Sequence, residues 1–307
     1  MTVASAPGKV ILFGEHAVVY GRPAIAVPVT QVQATVEVQE EGRGIRVVAQ
    51  DLDEVYQVER LPPSHPFRLI VTKTLKRLEI EELPDLTISI RSSIPMARGL
   101  GSGAAVSAAM VQALTSHLGG ELTLEEISAL VYEADVFYHG TPSGIDNTVI
   151  VYQKPVYFVK GHEPYTFAVK RPFWLAIADS GVVSPTRIAV GDVRLAWQRD
   201  KGRYERLFDA IGTIADQARW AIEEGELEQL GLLMDENQRL LRQIDVSSPE
   251  LEALIVAARR AGAKGAKLSG AGRGGNMIAI VEEETKGAVV DALKQAGAVA
   301  VIVTQVR

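Results

Sequence analysis

The chain has 307 residues, of which 47% are hydrophobic and 23% are charged, so it has the composition of an ordinary globular protein. Its length exceeds what one hydrophobic core usually organises, which predicts two domains. The net charge of −6 argues against binding of nucleic acids or anionic membranes through a basic surface. Because the sequence contains no cysteine, it excludes disulfides, thiolate metal sites and a thiol nucleophile.

Membrane insertion and export are also not expected from the sequence. No apolar run approaches the roughly 20 residues that a membrane-spanning helix needs. The first residues lack the basic and apolar regions of a signal peptide. We therefore expect a cytoplasmic protein that has no membrane partner.

The first part of the chain predicts short strands followed by helices. Apolar runs and period-two alternation predict strands at Thr2–Ser5, Val10–Phe13, Val32–Gln39, Gly44–Ala49 (the hairpin partner of Val32–Gln39) and Asp85–Arg91. Helical periodicity predicts helices that begin at His65-Pro66 and run to Leu78, and that extend from about Ser102 to Leu118. Thr123 and Glu126 have the spacing of a capping box, which predicts the start of the next helix.

The remaining chain alternates strands with helices. The predicted strands are Phe173–Ala178, Ala263–Leu268, Met277–Val281 and Val299–Val303. The predicted helices are Pro185–Gln198, Tyr204–Glu223, Leu227–Gln243, Ser248–Ala261 and Thr285–Gln295. This order predicts an α+β sandwich of the ferredoxin-like kind. Glycine and proline interrupt the pattern near His162–Pro172, where we expect the domain boundary.

A glycine-rich segment, Ile94-Pro-Met-Ala-Arg-Gly-Leu-Gly-Ser-Gly-Ala-Ala105, lies between a predicted strand and a predicted helix. The N–H groups at the helix start would attract an anion, and Arg98 adds a positive charge. Ser102 offers a hydroxyl to a phosphate or a magnesium ion. A Rossmann site fits poorly because another helix follows this one. A P-loop fits poorly because the segment lacks Gly-Lys-Ser/Thr. A tight turn that holds no ligand is the alternative.

A second glycine-rich segment is Lys267-Leu-Ser-Gly-Ala-Gly-Arg-Gly-Gly275. A predicted strand follows it rather than a helix, so it does not fit a dinucleotide-binding fingerprint. Its small residues indicate a close backbone approach to an anion or to the other domain. A simple glycine hairpin is the alternative.

Two further segments carry candidate catalytic groups. The segment from Ala6 to Gly21 places Lys9, Glu15 and His16 around an apolar strand and a glycine turn. The segment His139-Gly-Thr-Pro-Ser-Gly-Ile-Asp-Asn147 is read as a loop that delivers one carboxylate, Asp146. A surface position for Lys9 and an N-cap role for Asp146 are the alternatives.

Together these segments resemble the three motifs of the GHMP small-molecule kinases, in the family's order and across nearly the whole chain. The matching segments are Pro7–His16, Pro95–Ala105 and Lys267–Gly275. Within the family the chain is most similar to the mevalonate kinases, because of Glu15–Gly21 and His139–Asn147. The resemblance implies a two-domain α+β fold. It places a ribosomal-protein-S5-like α/β domain at residues 1–165 and a ferredoxin-like α+β domain at residues 166–307.

The resemblance also implies an activity, namely transfer of the ATP γ-phosphoryl group to the C5 hydroxyl of mevalonate with Mg²⁺ as cofactor. Asp146 matches the catalytic aspartate, and Lys9 matches the lysine that would keep it ionised. Ser102 and Asp135 match the magnesium ligands. The residues that match the ATP phosphate site are Pro95, Arg98, Gly99, Leu100, Gly101, Ser102, Gly103, Ala104 and Ala105. Those that match the substrate side are Glu15, His16, Asp146, Thr186, Gly270, Ala271 and Gly272.

The chain departs from the family pattern at three positions. Asp135 replaces a glutamate and is one methylene shorter, and Glu133 ranks below it as a ligand because it lies roughly on the opposite side of the helix. Gly103 replaces a second serine. Arg273 replaces a glycine of the eukaryotic pattern, and the sequence leaves open whether it touches a phosphate or points into solvent.

The sequence also leads to expectations about the local charge at the site, the oligomeric state and alternative functions. The side chains of Lys9, Arg98, Lys267 and Arg273, together with Mg²⁺, are expected to supply local positive potential for ATP and mevalonate. A homodimer is expected, although the sequence alone does not reveal the oligomeric state. Another GHMP kinase, such as phosphomevalonate kinase, and a catalytically silent ligand sensor are the alternative functions.

Overall fold

The computed structural model describes residues 1–96, 98–139 and 142–307. The chain forms two compact units that are discontinuous in sequence. Unit 1 contains Met1–Gly8, Val32–Met96 and Leu100–Gln153; unit 2 contains Lys9–Gln31, Lys154–Arg307 and a short segment that includes Arg98 and Gly99. The expected fold class, a two-domain α+β fold, is confirmed. The boundary between residues 165 and 166 stays a prediction.

Strands dominate the beginning of the chain. They are β1 (Thr2–Phe13), β2 (Ala24–Gln39), β3 (Ile45–Ala49), β4 (Glu54–Gln57) and β5 (Leu86–Ser92). In unit 1, β5 pairs antiparallel with the Ala34–Gln39 part of β2 and parallel with β3, which pairs antiparallel with β4. The predicted alternation in β2 is confirmed, since Val32, Ala34, Val36 and Val38 are all buried. One face of this part of the strand therefore packs into the core.

Two strand predictions are wrong. The runs Thr2–Ser5 and Val10–Phe13 form the single strand β1, which includes Pro7 and Gly8. Proline has no backbone N–H to donate, so a strand tolerates it at a position where no neighbouring strand would accept that hydrogen bond. The segment Gly44–Ala49 is not the hairpin partner of Val32–Gln39, because β5 occupies the position beside that part of β2.

Unit 1 also contains helices that pack against one another: α1 (Pro66–Arg77), α2 (Ser102–His117), α3 (Leu124–His139) and α4 (Ile145–Tyr152). The predicted capping box is confirmed. Glu126 N donates to Thr123 Oγ1 at 3.2 Å, and Thr123 N donates to Glu126 Oε2 at 3.0 Å. Helix α4 was not predicted, because the turn residues Pro142, Ser143 and Gly144 precede it directly.

Unit 2 contains the remaining elements. Its strands are β6 (Val156–Phe158), β7 (Tyr165–Thr166), β8 (Phe173–Asp179), β9 (Gly265–Ser269), β10 (Asn276–Val281) and β11 (Ala300–Val306). Its helices are α5 (Thr186–Arg199), α6 (Lys201–Glu224), α7 (Leu227–Gln243), α8 (Pro249–Arg260) and α9 (Lys286–Gln295). Strand β6 pairs with Ala24–Ala26 of β2 and with β7. The sequence had predicted none of these three segments as a strand.

The last four strands form an antiparallel sheet in the order β11-β8-β10-β9. Along the chain, helices α5 to α8 connect β8 to β9, and α9 connects β10 to β11. This arrangement confirms the ferredoxin-like prediction. Every residue of β9 and β10 is buried, and α7 packs against β9. Within the described ranges, no helix has both the length and the apolar character that crossing a membrane would require.

Candidate active site

The first motif ends in a strained turn. Lys9 lies in β1 and is only 3% exposed. Gly14 follows the strand at φ 92°, and a Cβ there would lie 2.5 Å from atoms of Ala24, so only glycine fits. Ala17 N donates to Glu15 O at 2.7 Å across His16, whose φ of 61° and ψ of −46° describe a γ-turn of the rare positive-φ kind. Such a conformation costs roughly 1–3 kcal/mol in a residue other than glycine.

The Glu15 carboxylate forms a buried ion pair with Lys267. Neither side chain has any exposed surface, and Lys267 Nζ also donates to Leu268 O at 2.6 Å. Burial raises the pKa of Glu15 and lowers the pKa of Lys267, and the attraction between the two groups opposes both shifts. The expectation that Lys267 offers its charge to a bound anion is therefore wrong, because that charge is already paired with Glu15.

His16 and the strands around it join the first motif to the third. His16 Nε2 donates to Ala271 O at 2.9 Å, and Ser269 Oγ donates to Ile11 O at 2.8 Å. Burial lowers the pKa of His16 to about 4. His16 is thus neutral near pH 7, with a proton on Nε2, because a carbonyl oxygen can only accept a hydrogen bond.

The third motif is a hairpin between β9 and β10, as the simpler alternative predicted. Gly270, Gly272 and Gly274 all have positive φ angles. A Cβ on Gly272 would lie 2.0 Å from Val246 O, and a Cβ on Gly274 would lie 2.6 Å from Val182 O. The glycines at 272 and 274 are therefore required by close approach to backbone of the same unit.

The side chain of Arg273 in this hairpin does not extend freely into solvent, and it is not free to bind a phosphate, because its guanidinium is already paired. Its Nη1 pairs with Asp192 of α5, and its Nε donates to Asp245 O at 3.0 Å. Its own N–H donates to Val246 O at 2.7 Å. The guanidinium therefore braces the hairpin against α5 and the connection between α7 and α8.

Arg98 of the second motif is also paired. Its Nε lies 3.2 Å from Asp179 Oδ2, and its Nη1 donates to Asp179 Oδ1 at 3.3 Å. Asn276 Nδ2 donates to the carbonyl of Arg98. Asp179 ends β8 and Asn276 begins β10, so the sheet of unit 2 holds this arginine. Together with Lys267 and Arg273, Arg98 makes three expected anion-binding cations that already contact carboxylates.

The second motif opens helix α2 in unit 1. Gly101 is the N-cap at φ 76°, and the helix begins at Ser102. The first intrahelical hydrogen bond runs from Ala105 N to Gly101 O at 2.9 Å, so the preceding N–H groups face out of the helix start. Ala104 and Leu100 are buried, which anchors the turn. Pro95, Gly99 and Gly103 complete the described part of the motif, and Ala97 lies outside the described residues.

The two candidate carboxylates of unit 1 lie on successive helices. Asp135 is on α3 and is 1% exposed. Asp146 is the second residue of α4 and is half-buried, and the N-cap is Gly144 at φ 98°. The N-cap alternative for Asp146 is therefore wrong. Asn147 Nδ2 donates to Ser128 Oγ at 2.8 Å, which ties α4 to α3. Gly140 and Thr141 of the preceding segment lie outside the described residues.

The donors expected for magnesium lie on helices that pack against one another. Ser102 begins α2, Asp135 lies on α3, and α2 contacts α3. Glu133 pairs instead with Lys73, which agrees with its lower rank as a ligand. In the part of the chain that the structure describes, no group of three or more His, Cys, Asp or Glu residues could hold a metal ion. Protein donors alone thus do not form a metal cage there.

Thr186 is the first residue of α5, after Pro185 at the N-cap, and its side chain is exposed. The same helix carries Asp192, the partner of Arg273. Sequence reasoning missed both Asp192 and Asp179, because neither belongs to a motif. It named Glu15 and Lys267 separately but could not pair them, since they are 252 positions apart.

Family models match both halves of the chain. Residues 69–154 match the model for the GHMP kinases N terminal domain, and residues 218–299 match the model for the GHMP kinases C terminal region. These ranges include the second motif and the third motif.

Individual relatives match over almost the full length. The mevalonate kinase of Thermococcus sibiricus is 35% identical and covers 98% of this chain and 95% of its own length. The mevalonate kinase of Pyrococcus horikoshii is 36% identical, with coverages of 98% and 94%. A crystal structure of L. major mevalonate kinase in complex with R-mevalonate has a TM-score of 0.84 and 30% identity, and the match covers 100% of this chain and 96% of that one.

Proposed function

The chain belongs to the GHMP kinases, and from this membership we propose that it is a mevalonate kinase, which transfers the ATP γ-phosphoryl group to the C5 hydroxyl of (R)-mevalonate. The observation that carries the proposal is its full-length similarity to mevalonate kinases. That similarity covers both units and all three motifs. The proposed product is 5-phosphomevalonate, which places the enzyme in isoprenoid biosynthesis.

Asp146 is the proposed general base. It accepts the proton of the C5 hydroxyl while that oxygen attacks the γ-phosphorus, and ADP leaves. Its position in the first turn of α4 supports this role, because the helix fixes where the carboxylate lies and the helix N-terminus interacts favourably with a negative charge. Lys9 is the second proposed catalytic residue. The small exposure of Lys9 supports the role, since a charge shielded from water acts more strongly on its neighbours.

The start of α2 is the proposed binding site for the ATP phosphates. The N–H groups of its first turn and the helix dipole favour an anion. The segment Gly99–Ala104 supplies these N–H groups, with Pro95, Arg98 and Ala105 beside them. Because Arg98 already contacts Asp179, we expect its positive charge to contribute less than an unpaired arginine would.

Mg²⁺ is proposed to bind the hydroxyl of Ser102 and the carboxylate of Asp135. Both are hard oxygen donors, and Mg²⁺ commonly binds through one or two carboxylates together with substrate phosphates. The packing of α2 against α3, the helices that carry these two residues, supports the pairing. When bound, the ion would neutralise charge on the phosphates.

The substrate side is proposed to include His16, Thr186, Gly270, Ala271 and Gly272. The contact between His16 and Ala271 supports a shared role for the first and third motifs. Glu15 is also proposed to act on the substrate side, although its carboxylate is paired with Lys267. Further proposals are a domain boundary between residues 165 and 166, a cytoplasmic location, a homodimer, and no nucleic-acid partner.

A substrate panel tests the proposed function. ADP release by the purified protein is measured with mevalonate, phosphomevalonate, galactose and homoserine, each with and without Mg²⁺. We expect release that depends on mevalonate and on Mg²⁺. Faster release with phosphomevalonate would favour the other GHMP kinase. Tight binding of ATP and mevalonate without any release would favour the silent sensor.

A further inference from the structure

A buried polar cluster in unit 2 includes one residue, Lys267, to which the proposed chemistry assigns no role. We define the buried cluster as Glu15, His16, Lys267 and Ala271. The Lys267 ammonium pairs with the Glu15 carboxylate at zero exposure of both side chains, and the His16 ring donates to the Ala271 carbonyl at 2.9 Å. Replacing such a pair with apolar groups is often neutral or stabilising, so stability alone does not account for it.

The cluster holds a backbone turn that is unfavourable by itself. Glu15 O accepts the hydrogen bond that closes the turn, and His16 sits at its centre with φ 61°. A strained conformation persists only where its surroundings over-determine it. Here the ion pair fixes the first residue of the turn, and the Ala271 carbonyl fixes the ring at its centre.

We propose that Lys267 is a positioning residue that acts through Glu15 and His16. By holding Glu15 it fixes the strained turn, and with the Ala271 carbonyl it keeps His16 as the neutral tautomer whose proton is on Nε2. The arrangement joins the first motif to the third, which are far apart in the chain. Lys267 does not touch the substrate or ATP.

The tautomer determines what His16 can recognise. In a neutral imidazole with its proton on Nε2, Nδ1 is an acceptor. The role of His16 rests on the proposed function: its Nδ1 accepts a hydrogen bond from a mevalonate hydroxyl. It does not hold the carboxylate, because an acceptor repels an anion. Burial keeps the ring neutral, and the nearby Arg273 disfavours a second proton on it.

The first test does not need turnover. Long-range ¹H–¹⁵N correlation spectra of the histidine rings distinguish the two neutral tautomers and the charged form. The chain has five histidines, so loss of one set of signals in His16→Asn assigns the ring. We expect an Nε2–H tautomer for His16 at neutral pH. In Lys267→Met we expect a mixture of tautomers. In Lys170→Met, which breaks the exposed pair with Glu224, we expect the wild-type pattern.

The second test is kinetic. We expect Lys267→Met to lower kcat/KM for mevalonate by on the order of 10- to 100-fold, as a misplaced binding group does, while KM for ATP changes little. The single variant leaves Glu15 buried without its partner and can lose stability. The double variant Glu15→Leu/Lys267→Met removes both charges, so we expect its stability to recover. Its kcat/KM for mevalonate should stay low, because the turn is no longer held.

Three results would overturn the positioning role. They are a charged or Nδ1-protonated His16 in the wild-type protein, an unchanged tautomer and unchanged kinetics in Lys267→Met, and full recovery of mevalonate kinetics in the double variant. If the protein instead has no activity on mevalonate, the proposed function fails. The ring spectra still decide whether Lys267 positions His16.

Discussion

Arg273 and Asp192 form an ion pair that connects the glycine hairpin of the third motif to helix α5. Arg273 adopts φ 58°, a conformation in which glycine is less strained than arginine. The guanidinium is also held by Asp245 O at 3.0 Å. The positive charge of Arg273 is therefore used within unit 2, whereas the sequence had left a phosphate contact open.

Replacing Arg273 with glycine tests this assignment. We expect Arg273→Gly to lower the free energy of unfolding by no more than about 1 kcal/mol, because a half-exposed ion pair contributes little and glycine relieves the strained φ. We expect KM for ATP to be unchanged. Urea unfolding and initial rates at varied ATP measure the two quantities, with Arg273→Lys as the charge-preserving control. A several-fold rise in KM for ATP in Arg273→Gly would show a phosphate contact instead.

The glycine requirement of the hairpin gives a second prediction. Gly272→Ala should lower the free energy of unfolding by more than about 2 kcal/mol, because it adds a clash with Val246 O to an unfavourable φ. Gly287→Ala is the matched control, since an added Cβ in α9 has no heavy atom within 4 Å. It should raise stability by about 0.5–1 kcal/mol. Chemical denaturation measures both, and similar effects of the two substitutions would refute the packing argument.

Asp146 is the residue whose replacement should affect turnover most. We expect Asp146→Asn to reduce kcat by roughly 10²–10⁴-fold, the usual contribution of a general base, with the fold intact. Asp291→Asn, an exposed carboxylate on α9, is the control and should keep wild-type kcat. Circular dichroism checks the fold and coupled ADP release measures turnover. Near-normal kcat in Asp146→Asn would remove Asp146 from the mechanism.

The magnesium assignment predicts a separate effect for Asp135. Asp135→Ala should raise the Mg²⁺ concentration needed for half-maximal rate more than it raises KM for mevalonate, because a ligand of the ion is lost. Glu133→Ala removes a carboxylate that pairs with Lys73 and should leave the magnesium requirement unchanged. Titrations of Mg²⁺ at saturating mevalonate compare the variants. An unchanged requirement in Asp135→Ala would mean that Asp135 is not a ligand.

Burial of His16 predicts a dependence of stability on pH. Its pKa is lowered from 6.5 to about 4, so between these values the unfolded chain binds more protons than the folded chain. The stability due to neutral His16 is fully present above pH 6.5 and is lost as pH falls towards 4. We expect a loss on the order of 2 kcal/mol from this residue between about pH 6.5 and about pH 5.

Urea unfolding of the wild-type protein and of His16→Asn over this pH range measures the effect. Asparagine is chosen because it tolerates a positive φ better than most residues. The wild-type protein should lose more stability on acidification than the variant does. Equal losses would mean that His16 is not buried in neutral form.

Local patterns predicted those elements whose determinants lie close together in the sequence. The capping box at Thr123 and the alternation in β2 are of this kind, as is the succession of strands and helices along the chain from β8 to β11. The missed elements have conflicting local signals, such as Pro7 within β1 and the turn residues before α4. The pairing of Glu15 with Lys267 depends on chain folding over a long sequence separation. A positive φ at His16 cannot be predicted from the preferences of histidine.

The central claim is the identity of the reaction, and the product tests it most directly. The protein is incubated with ATP, Mg²⁺ and (R)-mevalonate, and the product is examined by ³¹P nuclear magnetic resonance. We predict ADP and a phosphate monoester whose phosphorus couples to the two protons of the C5 methylene. The assignment would be contradicted if that monoester did not form although ATP and mevalonate bind. It would also be contradicted if the protein phosphorylated only phosphomevalonate, supplied in a separate incubation, and formed a diphosphate from it.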